Sequence, residues 1–378
     1  MYTPPSQIDL QPPSNHTNVN ILVNGTNDPR LSFALYRVPV VLVHGVWTNS
    51  SDSWVSTNFT KKLADSNFTY FFADYAKYNS TTFDPYAIPK IGNYGVDSIR
   101  NKTHDLLLDY RLNKSIAVAQ VDIIAHSMGG LMARGFVQQP DYENKSNYMN
   151  GSIHRLITIG TPHFGAHLSE ILYDHRNDWY CFNPDTKIIS FPNGCQFDLN
   201  DFEFAQLKTI YSNKLFFPSP LDKGAIEALA PGSAAFSHLC QTNVPSYAIA
   251  GSWAPSALGS HEAMEWLFSN ILGDPLFDLD IDGFQGKFQG NNDLQVNLTS
   301  QIGGLQGEFR QTASTDIPNQ SAVYPNTIHA SFFAFGDVNA VGELGSTNIQ
   351  DDVITLLESS IDKFATAIGT GSTCNIPN

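Results

Sequence analysis

Six consecutive residues, Ala125-His126-Ser127-Met128-Gly129-Gly130, follow the apolar run Val121-Asp122-Ile123-Ile124 and lead into Leu131-Met132-Ala133-Arg134-Gly135-Phe136-Val137. A β-rich apolar run, a cluster of small residues and then apolar residues at helical spacing predict a strand, a very tight turn and a helix under a sheet. Such a turn holds its central residue in a strained conformation, so its flanks must be small. Ala125 stands where the G-x-S-x-G pattern has its first glycine, and Gly129 supplies the second. A serine hydroxyl is a weak nucleophile until a base sits beside it and the backbone lifts it clear of the sheet. Ser127 is therefore the candidate nucleophile.

In a turn of this kind the acid and then the histidine follow the serine along the chain. His329, in Thr327-Ile328-His329-Ala330-Ser331, is the last of eleven histidines and the only one beyond His261, which makes it the candidate base. An acid that orients such a base belongs on a loop leaving a strand edge. Asp293, in Gly290-Asn291-Asn292-Asp293-Leu294-Gln295-Val296, fits that description. Asp282 and Asp316 are the rivals.

The rest of the chain alternates strand and helix signals. Strands are expected over 20–23 and 31–36 about the turn Asn24-Gly25, and at 38–43, 68–73, 156–159 and 246–250. Helices are expected over 95–110, with Val96, Ile99, Leu106 and Leu107 inward, and over 349–368. This alternation implies an α/β fold with a mostly parallel central sheet and helices on both faces. Residues 1–20 read as a flexible lead-in, 21–166 and 246–378 as the core, and 167–245 as a cap or lid insertion. The insertion is rich in aromatic residues, most of which would form its own small core. Leu215, Phe216 and Phe217, followed by Pro218, are candidates for contact with substrate or a lipid surface.

Three motifs carry a family resemblance: Val38-Pro39-Val40-Val41-Leu42-Val43-His44-Gly45, Ala125 to Gly130, and Leu156-Ile157-Thr158-Ile159-Gly160-Thr161-Pro162-His163. With them the chain resembles the bacterial true lipases and esterases of the α/β-hydrolase superfamily. The likeness is good over 38–165 and patchy beyond, and the stretch from Asn292-Asp293 to Gly303-Gly304 is similar to the acid loop of those enzymes. The resemblance implies an oxyanion hole built from the amides of Val46 and Met128, with Trp47 as a wall of the acyl pocket. His44 and His163 are read as structural, holding loop backbones by hydrogen bonds.

Of 378 residues, 36 are acidic and 21 basic, a net charge of −15. Nucleic acid is thereby disfavoured as a partner, since phosphate binding needs clustered Lys and Arg, and an anionic membrane is disfavoured for the same reason. No apolar run is long enough to span a bilayer, so lipid contact would be transient at most. Neutral ester substrates, whether small molecules, lipids or polyesters, and a monomeric enzyme are expected. The first residues lack a signal peptide pattern and read as a mature form with an added methionine.

Four cysteines allow three pairings, of which Cys181–Cys195 and Cys240–Cys374 are favoured over free thiols. Sequons at Asn15, Asn58, Asn101 and Asn297 agree with a secreted, extracellular origin. Asp278, Asp280 and Asp282 before Gly283 open like a calcium loop, but Gln289 stands where a bidentate Glu is wanted. A structural calcium and a solvated acidic turn both remain open, and no cofactor is required for catalysis. The chemistry expected is carboxylic ester hydrolysis. An acyltransferase or amidase could run on the same three side chains, and an inactive binding protein on the same scaffold would normally have lost one of them.

Overall fold

The computed structural model describes residues 16–23, 26–79, 81–86, 93–174, 181–183, 188–190, 196–198, 223–252, 293, 295–305, 308–309, 317–330 and 341–369. Seven strands form the central sheet: β3 (Val40–Val43), β4 (Tyr70–Ala73), β5 (Val121–His126), β6 (Ile153–Ile159), β10 (Ser246–Ser252), β11 (Glu308–Phe309) and β12 (Ser321–Pro325). Their spatial order is β11-β12-β10-β6-β5-β3-β4, and every neighbouring pair is parallel. The strand order reverses between β3 and β5, and the serine turn lies at the end of β5, so the expected α/β fold with a parallel central sheet is present.

A parallel sheet covered on both faces needs apolar residues at every position, not at alternate ones. All four residues of β3 are buried, with Val41 and Val43 in one core and Val40 and Leu42 in the other. On the first face, helices α2 (Asn93–Leu112) and α3 (Met128–Val137) contribute Val96, Ile99, Leu131 and Phe136. On the second, α1 (Phe59–Asp65) contributes Phe59 and Leu63, and the C-terminal helix α8 (Thr347–Glu358) contributes Ile349, Val353 and Leu356. The expected early strands form a separate antiparallel hairpin, β1 (His16–Val23) with β2 (Thr26–Tyr36).

The interval 167–245 holds α4 (His167–Asp174), the antiparallel strands β7 (Cys181–Asn183), β8 (Ile188–Ser190) and β9 (Gln196–Asp198), then α5 (Lys223–Leu229) and α6 (Ala234–Ser237). No helix among the described residues is long and apolar enough to cross a membrane.

The last helix is shorter than its periodicity implied. It ends at Glu358, not near 368, because Ser359 leaves the helical region at ψ 165° and Arg155 Nη1 donates to the terminal carbonyls of Leu356 and Ser359. The chain then turns back as an extended tail, and Ala365 and Ile368 pair antiparallel with Ser246 and Thr242. Buried Phe364 and Ile368 satisfied the helical spacing while belonging to that tail.

Candidate active site

Strand β5 ends at His126 and α3 begins at Met128, leaving Ser127 to make the whole turn at φ 56°, ψ −134°. That region is costly for a residue with a side chain, and the surroundings fix it: Ser127 N–H donates to Ile159 O at 2.9 Å. A Cβ on Gly129 would lie 2.6 Å from the His44 carbonyl oxygen and 2.8 Å from that of Val43, so the second small position admits only glycine. Ala125 is fully buried within the first core, where its single methyl fits.

The loop after β3 passes directly over the serine. A Cβ on Gly45 would come within 2.7 Å of Ser127 Cβ and 3.2 Å of its Oγ, so only glycine lets this loop approach. Asn79 Nδ2 tethers it by donating to the carbonyls of Gly45 and Thr48 at 3.2 and 2.6 Å. His44 is buried and stacks on Tyr75 with centroids 4.3 Å apart. Its Nδ1–H donates to Gly45 O at 2.9 Å while Nε2 accepts from Tyr75 N–H at 3.2 Å, which fixes a neutral tautomer. Burial lowers its pKa in the same sense, more than Asp74 nearby raises it. His163 is likewise buried, bridging Thr158 Oγ1 at 3.2 Å and Arg134 Nη1 at 3.4 Å. Desolvation, then the Arg134 charge, hold its pKa well below the usual imidazole value. Both histidines thus act as loop fasteners.

His329 lies one residue past β13 (Thr327–Ile328). Its Nε2 is 2.8 Å from Ser127 Oγ and its Nδ1 is 2.7 Å from Asp293 Oδ2. Asp293 is fully buried, and its Oδ1 accepts the backbone N–H groups of Gln295 and Val296 at 2.9 and 2.7 Å. Its own carbonyl accepts His329 N–H at 2.9 Å, so acid and base are joined through the backbone as well. Gln301, on α7 (Leu298–Gln301), clamps this loop by donating to Val296 O and Gly251 O and accepting from Gly251 N–H. The three residues expected from the sequence to meet do so.

One neighbour was not expected. β13 pairs in parallel with β14 (Val341–Gly342), Ile328 opposite Gly342, so the next residue on each strand, His329 and Glu343, lie side by side. Glu343 is fully buried. Its Oε2 lies 3.2 Å from His126 Nε2 and 3.5 Å from His329 Nδ1, and its Oε1 accepts Gly251 N–H at 3.0 Å. Burial, then the charge of Asp293, push its carboxyl well above the usual carboxylate range. The sequence offered little to find it by beyond its glycine flanks in Gly342-Glu343-Leu344-Gly345. His126, His329 and Glu343 bring one ligand-type atom each within 4.8 Å of one another. His126 Nε2 is hydrogen-bonded to Glu343 Oε2 and His329 Nδ1 to Asp293, so the cluster reads as a proton-holding network instead of a metal centre.

A cavity of about 190 Å³ opens over Ser127 and His329, walled by Gly45, Val46, Thr48, Ser53 and Leu344. Val46 is on the overlying loop and lines this cavity, and Met128 is the first residue of α3. Trp47, at φ 53°, is not among the cavity's lining residues, as its neighbours Val46 and Thr48 are. Phe216, Phe217, Asp278, Asp280 and Asp282, with the rival acids Asp282 and Asp316, lie outside the described residues. Cys240 is disulfide-bonded. Cys195 and Cys374, one from each expected pair, also lie outside the described residues.

Among solved structures, the chain is similar to the mature lipase BlEst2 of Bacillus licheniformis, at 13% identity and TM-score 0.45, covering 85% of this chain and 93% of that one. Lipase 1 of Pelosinus fermentans matches at 16% identity and TM-score 0.45, covering 86% and 99%. The Staphylococcus hyicus lipase matches at 14% and 0.46, covering 85% and 96%. No curated protein sequence matches. A profile described as "Domain of unknown function (DUF7379)" matches residues 36–341, and the chain belongs to that family.

Proposed function

We propose that the protein is a serine carboxylic ester hydrolase, of lipase or esterase type, acting on neutral acyl esters. One observation carries this reading: Ser127 Oγ, the His329 ring and Asp293 form a continuous hydrogen-bonded chain, 2.8 and 2.7 Å long in its two links, under an open cavity. Ser127 attacks the ester carbonyl while His329 Nε2 takes its proton, and Asp293 holds Nδ1–H and stabilises the imidazolium. The amides of Val46 and Met128 receive the oxyanion, a contribution of typically about 3 kcal/mol per donor. His329 then protonates the departing alcohol, and a water activated by the same ring resolves the acyl-enzyme.

The same reading sets the enzyme outside the cell, because disulfides persist in oxidising compartments and Cys240 carries one. The charge of −15 suits uncharged substrates over phosphate-rich surfaces.

The test is a panel of nitrophenyl esters from short to long chain beside a triglyceride emulsion. Hydrolysis abolished by Ser127→Ala, with stoichiometric fluorophosphonate labelling of the wild type only, is the expected result. A Ser127→Ala protein that hydrolyses the panel at the wild-type rate refutes the assignment.

A further inference from the structure

We propose that Glu343 is a positioning residue of this site: a neutral carboxylic acid that shares one proton with Asp293 and thereby sets the charge facing His329. The proposal rests on the ester-hydrolase reading for its kinetic consequences alone; the shared proton stands on geometry.

Two carboxyl groups buried together cannot both ionise without large cost, so one of them keeps its proton. Which one keeps it follows from their partners. Asp293 accepts two backbone N–H bonds and faces His329 Nδ1 at 2.7 Å, all of which favour its anion. Glu343 has one backbone donor, Gly251 N–H, and lies farther from Nδ1, at 3.5 Å. The titratable groups facing it, among the described residues, are Asp293 on the loop before α7, His329 after β13 and His126 at the end of β5. His126 is itself buried, and desolvation, then His329, hold its pKa well below the usual imidazole value, so it brings no positive charge to ionise Glu343. Both carboxyls adjoin one ring nitrogen, His329 Nδ1, with Asp293 Oδ2 at 2.7 Å and Glu343 Oε2 at 3.5 Å, and both flank Gly251, where a Cβ would lie 2.9 Å from Glu343 Oε1 and 3.2 Å from Asp293 Cβ. With the proton on Glu343, its O–H donates to the Asp293 carboxylate.

The fold reserves space for this group. A Cβ at Gly160, just past β6 and at φ 58°, would lie 2.0 Å from Glu343 Oε2, and one at Gly251 on β10 would lie 2.9 Å from Oε1. Two neighbouring strand ends are bare where the carboxyl lies. A donated hydrogen bond withdraws charge from Asp293 and so weakens the negative charge that faces the imidazolium formed during turnover. Without Glu343 the Asp293 carboxylate faces that imidazolium alone and at full charge.

Infrared spectroscopy of the Ser127→Ala protein at neutral pH, with and without Glu343→Gln, reads the proton directly. The carbonyl stretch of a buried protonated carboxylic acid is expected, and Glu343→Gln removes it. No such band, or a band that survives the substitution, overturns the proposal. For kinetics, Glu343→Leu should lower kcat/KM at least 10-fold and move its acid limb up by about one pH unit. Glu343→Gln, which can still donate to Asp293, should bring the limb back. A merely structural role would lower activity in both variants with the limb unmoved. Should the Leu variant fail to fold, the infrared comparison still decides. Undiminished ester hydrolysis by Ser127→Ala would sink the hydrolase reading while leaving the infrared result intact.

Discussion

Acidification should unfold this protein steeply, and the slope can be worked from four buried groups. His44, His126 and His163 all have pKa values held below the imidazole value of 6.5, in each case chiefly because burial disfavours the charged ring. In the unfolded chain each ring takes up a proton as pH falls through 6.5, whereas in the fold burial delays that uptake to lower pH. Their contribution is therefore complete above that pH and is lost on the way down, at about 1.4 kcal/mol per pH unit for each proton. Three rings give at most about 4 kcal/mol per unit, reached where the unfolded imidazoles are charged and the folded ones are not. Glu343 opposes them. Its raised pKa means that folding takes up a proton wherever the unfolded carboxyl, at 4.5, is ionised, so its contribution grows as pH falls, offsetting one of the three. Asp74, with a lowered pKa, responds only around and below 3.8 and stays outside this window.

The net of at most two protons predicts a loss of up to about 2 kcal/mol between pH 6 and pH 5, a large share of a stability of typically about 5–15 kcal/mol. Urea unfolding at constant ionic strength across pH 5 to 7 measures it. His163→Gln removes one ring while leaving an amide that can still reach Thr158 Oγ1, and its slope should be shallower by about 1.4 kcal/mol per unit. Stability that is flat or rising from pH 7 to pH 5 would refute the burial argument. An unchanged slope in the variant would refute the share given to His163.

Gly45→Ala should lower kcat/KM by about 10²-fold, because the added methyl would lie 2.7 Å from Ser127 Cβ and displace the hydroxyl from its attack position; ester hydrolysis beside a melting curve separates this from unfolding. Gly129→Ala meets backbone oxygens at 2.6 and 2.8 Å and should cost about 3 kcal/mol, read as a fall in the urea midpoint. Cys240→Ser should cost about 2–4 kcal/mol, and reductant should lower the wild-type Tm but not the variant's.

The legible parts of this molecule were those coded over short stretches. Strands β3, β5, β6 and β10 are runs buried on both faces, so their composition alone marks them. Ser127 was legible because a strained turn demands small neighbours, and those demands are local. His329 was found by elimination, and Asp293 by a turn signal beside it. Strand β12 escaped notice: its five residues end in Pro325 and carry Ser321, and nothing but its place at β10's edge makes it a strand. The end of α8 was misplaced because Phe364 and Ile368 are apolar at helical intervals, while the stop is imposed by Arg155, some 200 residues away in sequence.

Glu343 is the sharper case, because its whole character is tertiary. In sequence it is an acidic residue between glycines, which reads as a solvated turn. It becomes a fully buried group only because two-residue strands pair in one particular register, Thr327 with Val341 and Ile328 with Gly342. Slipping that pairing by a residue would turn the carboxylate out of its pocket and leave Asp293 as the sole acid behind His329. Gly160 belongs to the motif that first suggested the family likeness, yet its φ of 58° and its missing side chain are answered here by the Glu343 carboxylate. A glycine read as part of a strand-ending pattern thus also makes room for a proton donor. Gly160→Ala should accordingly shift the acid limb of kcat/KM in the direction of Glu343→Leu, since the added methyl would take the place of the Glu343 carboxyl. If Gly160→Ala instead loses activity at all pH values alike, with Glu343→Leu still shifting the limb, the glycine serves the turn alone.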